Sequence, residues 1–112
     1  VADPKYQIVL APEAEEDLGS ALDYLEEQAP EKCSEWLSSL RRNLDTLKVH
    51  PERCPLAPEN GLWGTELLHQ LLFDRYPSKY RVIFTIDEDS TEVRILNIRH
   101  GARRYIHEDD SE

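Results

Sequence analysis

Apolar positions along the chain change period twice, from strand to helix and back to strand, and turn residues divide each stretch into elements. "YQIVL", residues 6–10, is a short β-branched and aromatic run that predicts a first strand. From Pro12 onward Ala14, Leu18, Ala21, Leu22, Leu25 and Ala29 recur at helical spacing, with Asp23, Glu26 and Glu27 on the other side. Glu13, Glu15, Glu16 and Asp17 suit the positive end of that helix, and Pro12 suits its first turn. Pro30 interrupts the pattern. A second stripe then runs through Cys33, Trp36, Leu37, Leu40, Leu44 and Leu47 and is closed by Pro51. Two helices joined so tightly predict an antiparallel hairpin. Off the second stripe, Arg41, Arg42 and Lys48 read as a solvated face with Asp45.

Residues 51–65 hold three prolines and two glycines and predict a loop, with Leu62 and Trp63 as its apolar anchor over the core. Beyond it the period becomes two. Residues 66–76 are leucine-rich and the least clearly strand-like, with His69 read as a partly buried structural histidine. Residues 79–87 place Tyr80, Val82, Phe84 and Ile86 on one face and Arg81, Ile83 and Thr85 on the other. Residues 91–100 set Val93, Ile95 and Asn97 against Arg94, Leu96 and Ile98. The turn at 88–90 makes these last two runs a β-hairpin. The order is β-α-α-β-β-β, an α+β fold with the helical hairpin on one face of a small, mainly antiparallel sheet. Residues 1–106 form a single domain, and 107–112 read as an acidic, disordered tail.

Charge adds the feature that the pattern does not explain. The chain carries 23 acidic and 13 basic side chains, net −10. Yet residues 75–104 hold seven basic and four acidic side chains, and residues 93–106, "VRILNIRHGARRYI", hold four arginines and no acid. Arg94, Arg99, His100, Arg103 and Arg104 are therefore candidates to hold an anion or the acidic segment of a partner. The plainer alternatives are surface pairing of Arg81 and Arg94 with Asp87 or Glu92 across the hairpin, and a strand end or bulge at His100 and Gly101. Overall acidity opposes non-specific binding to nucleic acid. Cys33 and Cys54 fit no zinc or CxxC spacing and read as reduced structural thiols, and the scattered histidines give no metal signature. No cofactor is implied. With no membrane-length apolar run and no basic-then-apolar leader, the expected setting is the cytoplasm.

Three stretches, "YQIVLAPEAEEDL" at 6–18, "KYRVIFTID" at 79–87 and above all "VRILNIRHGARRYI" at 93–106, resemble the RelE/ParE superfamily of toxins from toxin–antitoxin and plasmid-stabilisation systems. The resemblance implies a cognate antitoxin that wraps an extended segment across the toxin and masks its working face. It also implies one of two activities: inhibition of DNA gyrase, as in ParE-like members, or ribosome-dependent messenger cleavage, as in RelE-like members. For cleavage, Arg81, Arg103 and Tyr105 match or lie near the positions of the relatives' arginines and tyrosine. Such cleavers also use lysines around the loop before the sheet, whereas residues 51–65 contain Arg53 and no lysine. That departure favours a ParE-like binder, with the endoribonuclease and a non-toxic remnant that keeps antitoxin affinity as the alternatives.

Overall fold

The computed structural model describes residues 5–61, 67–75 and 78–100; at 73–75, 78, 79 and 100 it describes the backbone alone. Leu62, Trp63, Arg103, Arg104, Tyr105, Ile106 and the tail lie outside the described residues.

The elements follow the expected order: β1 (Gln7–Leu10), α1 (Pro12–Gln28), α2 (Cys33–Asp45), β2 (His69–Arg75), β3 (Ser78–Asp87) and β4 (Glu92–His100). Pro12 sits in the first turn of α1, where the missing N–H costs nothing, and Glu13 and Glu15 face the positive helix end. Pro30 opens a 3₁₀ turn (Pro30–Lys32) that leads into α2. The strands form one mixed sheet in the order β1-β4-β3-β2, with β1 parallel to β4 and the other pairs antiparallel. Among the described residues no helix is long and apolar enough to cross a membrane.

Both helices cover the same sheet face, α1 over β4 and α2 over β2, and they meet the sheet more than each other. The core they enclose contains Leu25, Trp36, Leu40 and Leu47 against Val82, Phe84, Val93 and Ile95. Leu18, Leu22, Leu37 and Leu44 pack around it, as the two stripes predict. Trp36 meets Tyr80 edge-on at 5.1 Å, and His69 stacks on Phe84 at 5.5 Å while its Nδ1 contacts the Cys54 carbonyl at 2.8 Å. His69 is thus a buried structural residue, as expected. Both thiols are free; burial pushes the Cys54 thiol up, which keeps it protonated and unreactive.

The strand pattern needs one correction. Ile83 pairs with Asn97 but Phe84 pairs with Ile95, so Leu96 is an extra residue, a β-bulge in β4. Before the bulge, Val93 and Ile95 face the helices; after it, Ile98 does so, not the opposite face with Leu96. Simple alternation fails there because an inserted residue shifts the phase by one. The bulge lies at Leu96, inside the strand; β4 ends at His100, and Gly101 lies outside the described residues.

The second sheet face is covered by the loop. Ala57 and Leu68 pack on Ile83, with Leu96 beside them. The loop pairs briefly with β2 through Ala57 N–H to Leu68 C=O at 2.7 Å and Gln70 N–H to Pro55 C=O at 2.9 Å.

Candidate functional site

The candidate residues divide into three places. At the turn end of the β3–β4 hairpin, Arg94 donates to Glu92 at 2.9 Å, two residues back on its own strand and exposed. Asp87 closes the turn by accepting from the N–H groups of Asp89 and Ser90, at 3.1 and 3.3 Å. Those bonds, Ser90's first, hold its carboxyl below the usual carboxylate range. With the bulge at Leu96 between them, Arg94 and Arg99 pair with Thr85 and Arg81, four positions apart on β3, which puts them about 13 Å apart along the strand. The fold therefore does not bring those two cations together.

At the open end of the hairpin, Arg81 and Arg99 are direct cross-strand partners. Two like charges so placed need a counter-ion. It comes from the loop. Arg81 Nη2 and Nη1 donate to the two carboxylate oxygens of Glu59 at 2.8 and 3.2 Å, and Nη1 also reaches Gln70 at 3.3 Å. Glu59 is fully buried and Arg81 nearly so. A forked guanidinium matched to both carboxylate oxygens is the geometry that offsets the desolvation of each charge. Arg81 is thus paired with neither Asp87 nor Glu92, the partners its sequence neighbourhood offers. Glu59 is positioned by the turn at its own loop: Asn60 N–H donates to Ala57, the Asn60 side chain accepts from Leu68 N–H at 2.9 Å, and Gly61 takes φ +90. Sequence reasoning missed Glu59, because one glutamate in a proline-rich loop carries no mark of burial.

The loop's cation has a structural post as well. Arg53 Nη1 donates to the carbonyls of Thr46, Val49 and His50 at 3.0–3.2 Å, capping the carbonyl-rich end that follows α2.

The third place is a groove of about 360 Å³ between α1 and the last residues of the sheet, lined by Asp17, Ser20, Tyr24, Tyr80, Ile98 and Arg99. It exists because β1 stops at Leu10, after which Ala11 N–H makes the last bond to Ile95 C=O. The uncovered edge of β4 is taken over by Asp17. Its Oδ2 accepts from the Ile98 N–H at 2.9 Å and from the Asn97 amide at 3.1 Å, just past the bulge. Tyr24 stands half-exposed on the rim. Asp17 was read from the sequence as a charge for the helix end; its strand-capping role needs a contact 81 residues away. His100 aligns with Tyr80 in the backbone ladder. Arg103, Arg104 and Tyr105, which follow in sequence, lie outside the described residues. Among the described residues no three metal-ligating side chains gather.

Comparison with known proteins agrees with this frame. The fold is similar to that of a chain from the "Chromosomal ParDE TA system from P. aeruginosa", with TM-score 0.66 and 18% identity over 86% of this chain and 96% of that one. It is also similar to a chain of the toxin–antitoxin complex RelBE2 from Mycobacterium tuberculosis, with TM-score 0.53 and 20% identity over 89% of this chain and 95% of that one. At such identities the likeness is one of fold. No curated protein matches the chain significantly. The sequence itself matches the family model of the ParE toxin of the type II toxin–antitoxin system parDE over residues 8–105, which takes in every helix and strand but the first residue of β1. The chain therefore belongs to the ParE toxin family of type II toxin–antitoxin systems.

Proposed function

We propose that this family member acts in the cytoplasm as a ParE-like inhibitor of a macromolecular target such as DNA gyrase, and that a cognate antitoxin neutralises it. The observation that carries the reading is the engagement of Arg81 by Glu59 and Gln70. A nuclease must offer preorganised cations to the phosphorane-like transition state. Here the strand arginine is committed to an internal carboxylate, and the loop cation Arg53 is committed to the backbone carbonyls of Thr46, Val49 and His50. Binding needs no such site. The antitoxin reading is supported by the toxin–antitoxin complexes among the fold relatives and by the acid-free segment 93–106, whose arginines suit a carboxylate-bearing segment.

The test is induced expression without antitoxin, followed by separate assays of gyrase supercoiling and messenger integrity. Growth arrest with lost supercoiling and intact messenger is the expected result. Codon-phased messenger cuts in ribosomes exposed to the purified protein would overturn it, and growth without arrest would point to a non-toxic remnant. For the partner surface, replacing Arg99, Arg103 and Arg104 with Ala should weaken antitoxin association and flatten its salt dependence. An unchanged affinity and salt slope would place the interface elsewhere.

A further inference from the structure

A groove of about 590 Å³ lies between the start of β2 and the β3–β4 turn, away from the residues on which the proposed function rests. Glu52, from the short 3₁₀ turn Pro51–Arg53, lines it from the loop. Asp87, Glu88 and Asp89 line it from the hairpin turn, and all of these acids are exposed. Burial first, and then the fields of Glu88 and Glu52, raise the Tyr6 phenol above its ordinary range. Carboxylates from two separate turns thus bear on one point. Arg94 also lines the groove, but it is already paired with Glu92 at 2.9 Å.

Surface acids alone do not make a site, and His69 supplies what they lack. It is only 8% exposed, yet its ring lines the same groove. Its Nδ1 meets the Cys54 carbonyl, an acceptor, at 2.8 Å. In the neutral ring Nδ1 therefore carries the proton and Nε2 the lone pair. Among the described residues nothing donates to Nε2, and that atom is not sealed from the groove. The stack on Phe84 fixes the direction of the ring. Leu67, 59% exposed, and Ile86 add apolar surface. A buried, oriented acceptor among carboxylates and apolar side chains calls for a ligand with positive charge, N–H donors and an apolar stem.

We infer that this groove binds a primary alkylammonium group, carried either by a lysine of a partner segment or by a free diamine. The ammonium donates to His69 Nε2 and to the carboxylates of Glu88 and Asp89, while its aliphatic stem lies on Leu67 and Ile86. An ammonium fits better than a guanidinium. Its three donors diverge toward acceptors on separate elements, whereas a planar fork suits the two oxygens of one carboxylate. A bare metal ion fits worse, since among the described residues no three ligating side chains gather to hold one. Asp87 is the least available acid, because its Oδ1 already accepts from the N–H groups of Asp89 and Ser90. Glu52 is shared with His50, at 3.1 Å. This inference stands apart from the gyrase reading, since it uses neither Arg81 nor Arg99.

The test uses the whole chain, above the histidine range and below that of lysine, with diaminobutane and with an end-blocked glycine peptide carrying one central lysine. Nitrogen NMR should show the His69 Nε2 resonance move as either amine is added. Permethylated diaminobutane, equal in charge but without N–H groups, should bind about tenfold more weakly or worse. Glu52→Gln with Glu88→Gln and Asp89→Asn should weaken diaminobutane binding about tenfold. The same loss of charge on α1, Glu16→Gln with Glu26→Gln and Glu27→Gln, all exposed, should leave it unchanged. Far-ultraviolet circular dichroism would verify that both variants keep the fold. Tighter binding of the lysine peptide would assign the groove to a partner segment, and tighter binding of diaminobutane to a free amine. Equal binding of the permethylated amine, equal weakening in the two variants, an unmoved His69 Nε2, or no saturable binding at millimolar amine would each overturn the inference.

Discussion

The two faces of the sheet are held by different physics. Beneath the helices, Trp36, Leu40, Phe84, Val93 and Ile95 make a continuous apolar layer whose stabilisation grows with the area taken from water. Beneath the loop, three buried apolar residues, Ala57, Leu68 and Ile83, share the face with a buried ion pair, Arg81 with Glu59. The first face tolerates gradual change, because removing a methylene loses a fraction of a large sum. The second does not. Its pair is sound while both partners are present and becomes an uncompensated buried charge when either is removed.

That contrast can be broken most sharply at Glu59. Glu59→Ala leaves the Arg81 guanidinium buried without its carboxylate and should cost about 3–5 kcal/mol in urea unfolding. Replacing both partners together, Glu59→Leu with Arg81→Met, should recover most of that loss, since no buried charge then remains. A double variant as unstable as the single one would mean that the loop face depends on the ion pair itself. On the helix face, Leu40→Ala should cost about 2–5 kcal/mol from lost burial and the cavity left behind. A loss below about 0.5 kcal/mol would contradict the central position of Leu40.

A smaller effect is expected where the two faces meet. Asp17→Ala removes the acceptor of the buried Ile98 N–H and should cost about 1–3 kcal/mol. It should also raise hydrogen exchange at Ile98 while leaving Val93 protected, since β1 still covers β4 there. At the turn end, the depressed carboxyl of Asp87 is a group whose folded-state value lies below its unfolded one. Its contribution is therefore present above the unfolded carboxylate range and lost as pH falls through the folded value. Asp87→Asn should flatten that acidic limb slightly. The least effect belongs to Arg94→Ala, which breaks an exposed pair with Glu92 and should stay within about 0.5 kcal/mol. Thermal or urea unfolding across the series would rank these sites directly.

Periodicity was enough to place α1, α2 and the β3–β4 hairpin, because Leu22, Leu40 or Phe84 each obey a local rule: one face, one spacing, one neighbour of the same kind. It was also enough to isolate the acid-free segment 93–106, since charge composition is written in the chain. The division of its arginines was not legible. Arg94 and Arg99 look like one cluster in a string of letters, and strand geometry separates them by about 13 Å. Local pattern likewise missed the bulge at Leu96, because an inserted residue shows itself only against the partner strand.

From its residues alone, this chain determined the order of its elements, the apolar layer between helices and sheet, and an acidic protein with one basic stretch at residues 75–104. Those properties depend on neighbours a few residues apart, where helical and strand periods apply. Tertiary structure alone decided the contacts between polar groups far apart in the chain. Glu59 reaches Arg81 across 22 positions, Asp17 reaches Ile98 across 81, and Lys48 bonds Tyr6 only because α2 returns to the edge of β1. The physical reason is that a buried ion pair or a shared backbone bond requires two groups within about 3 Å in a place shielded from water. Closeness of that kind is produced by the packing of the whole chain, and no local sequence rule encodes it.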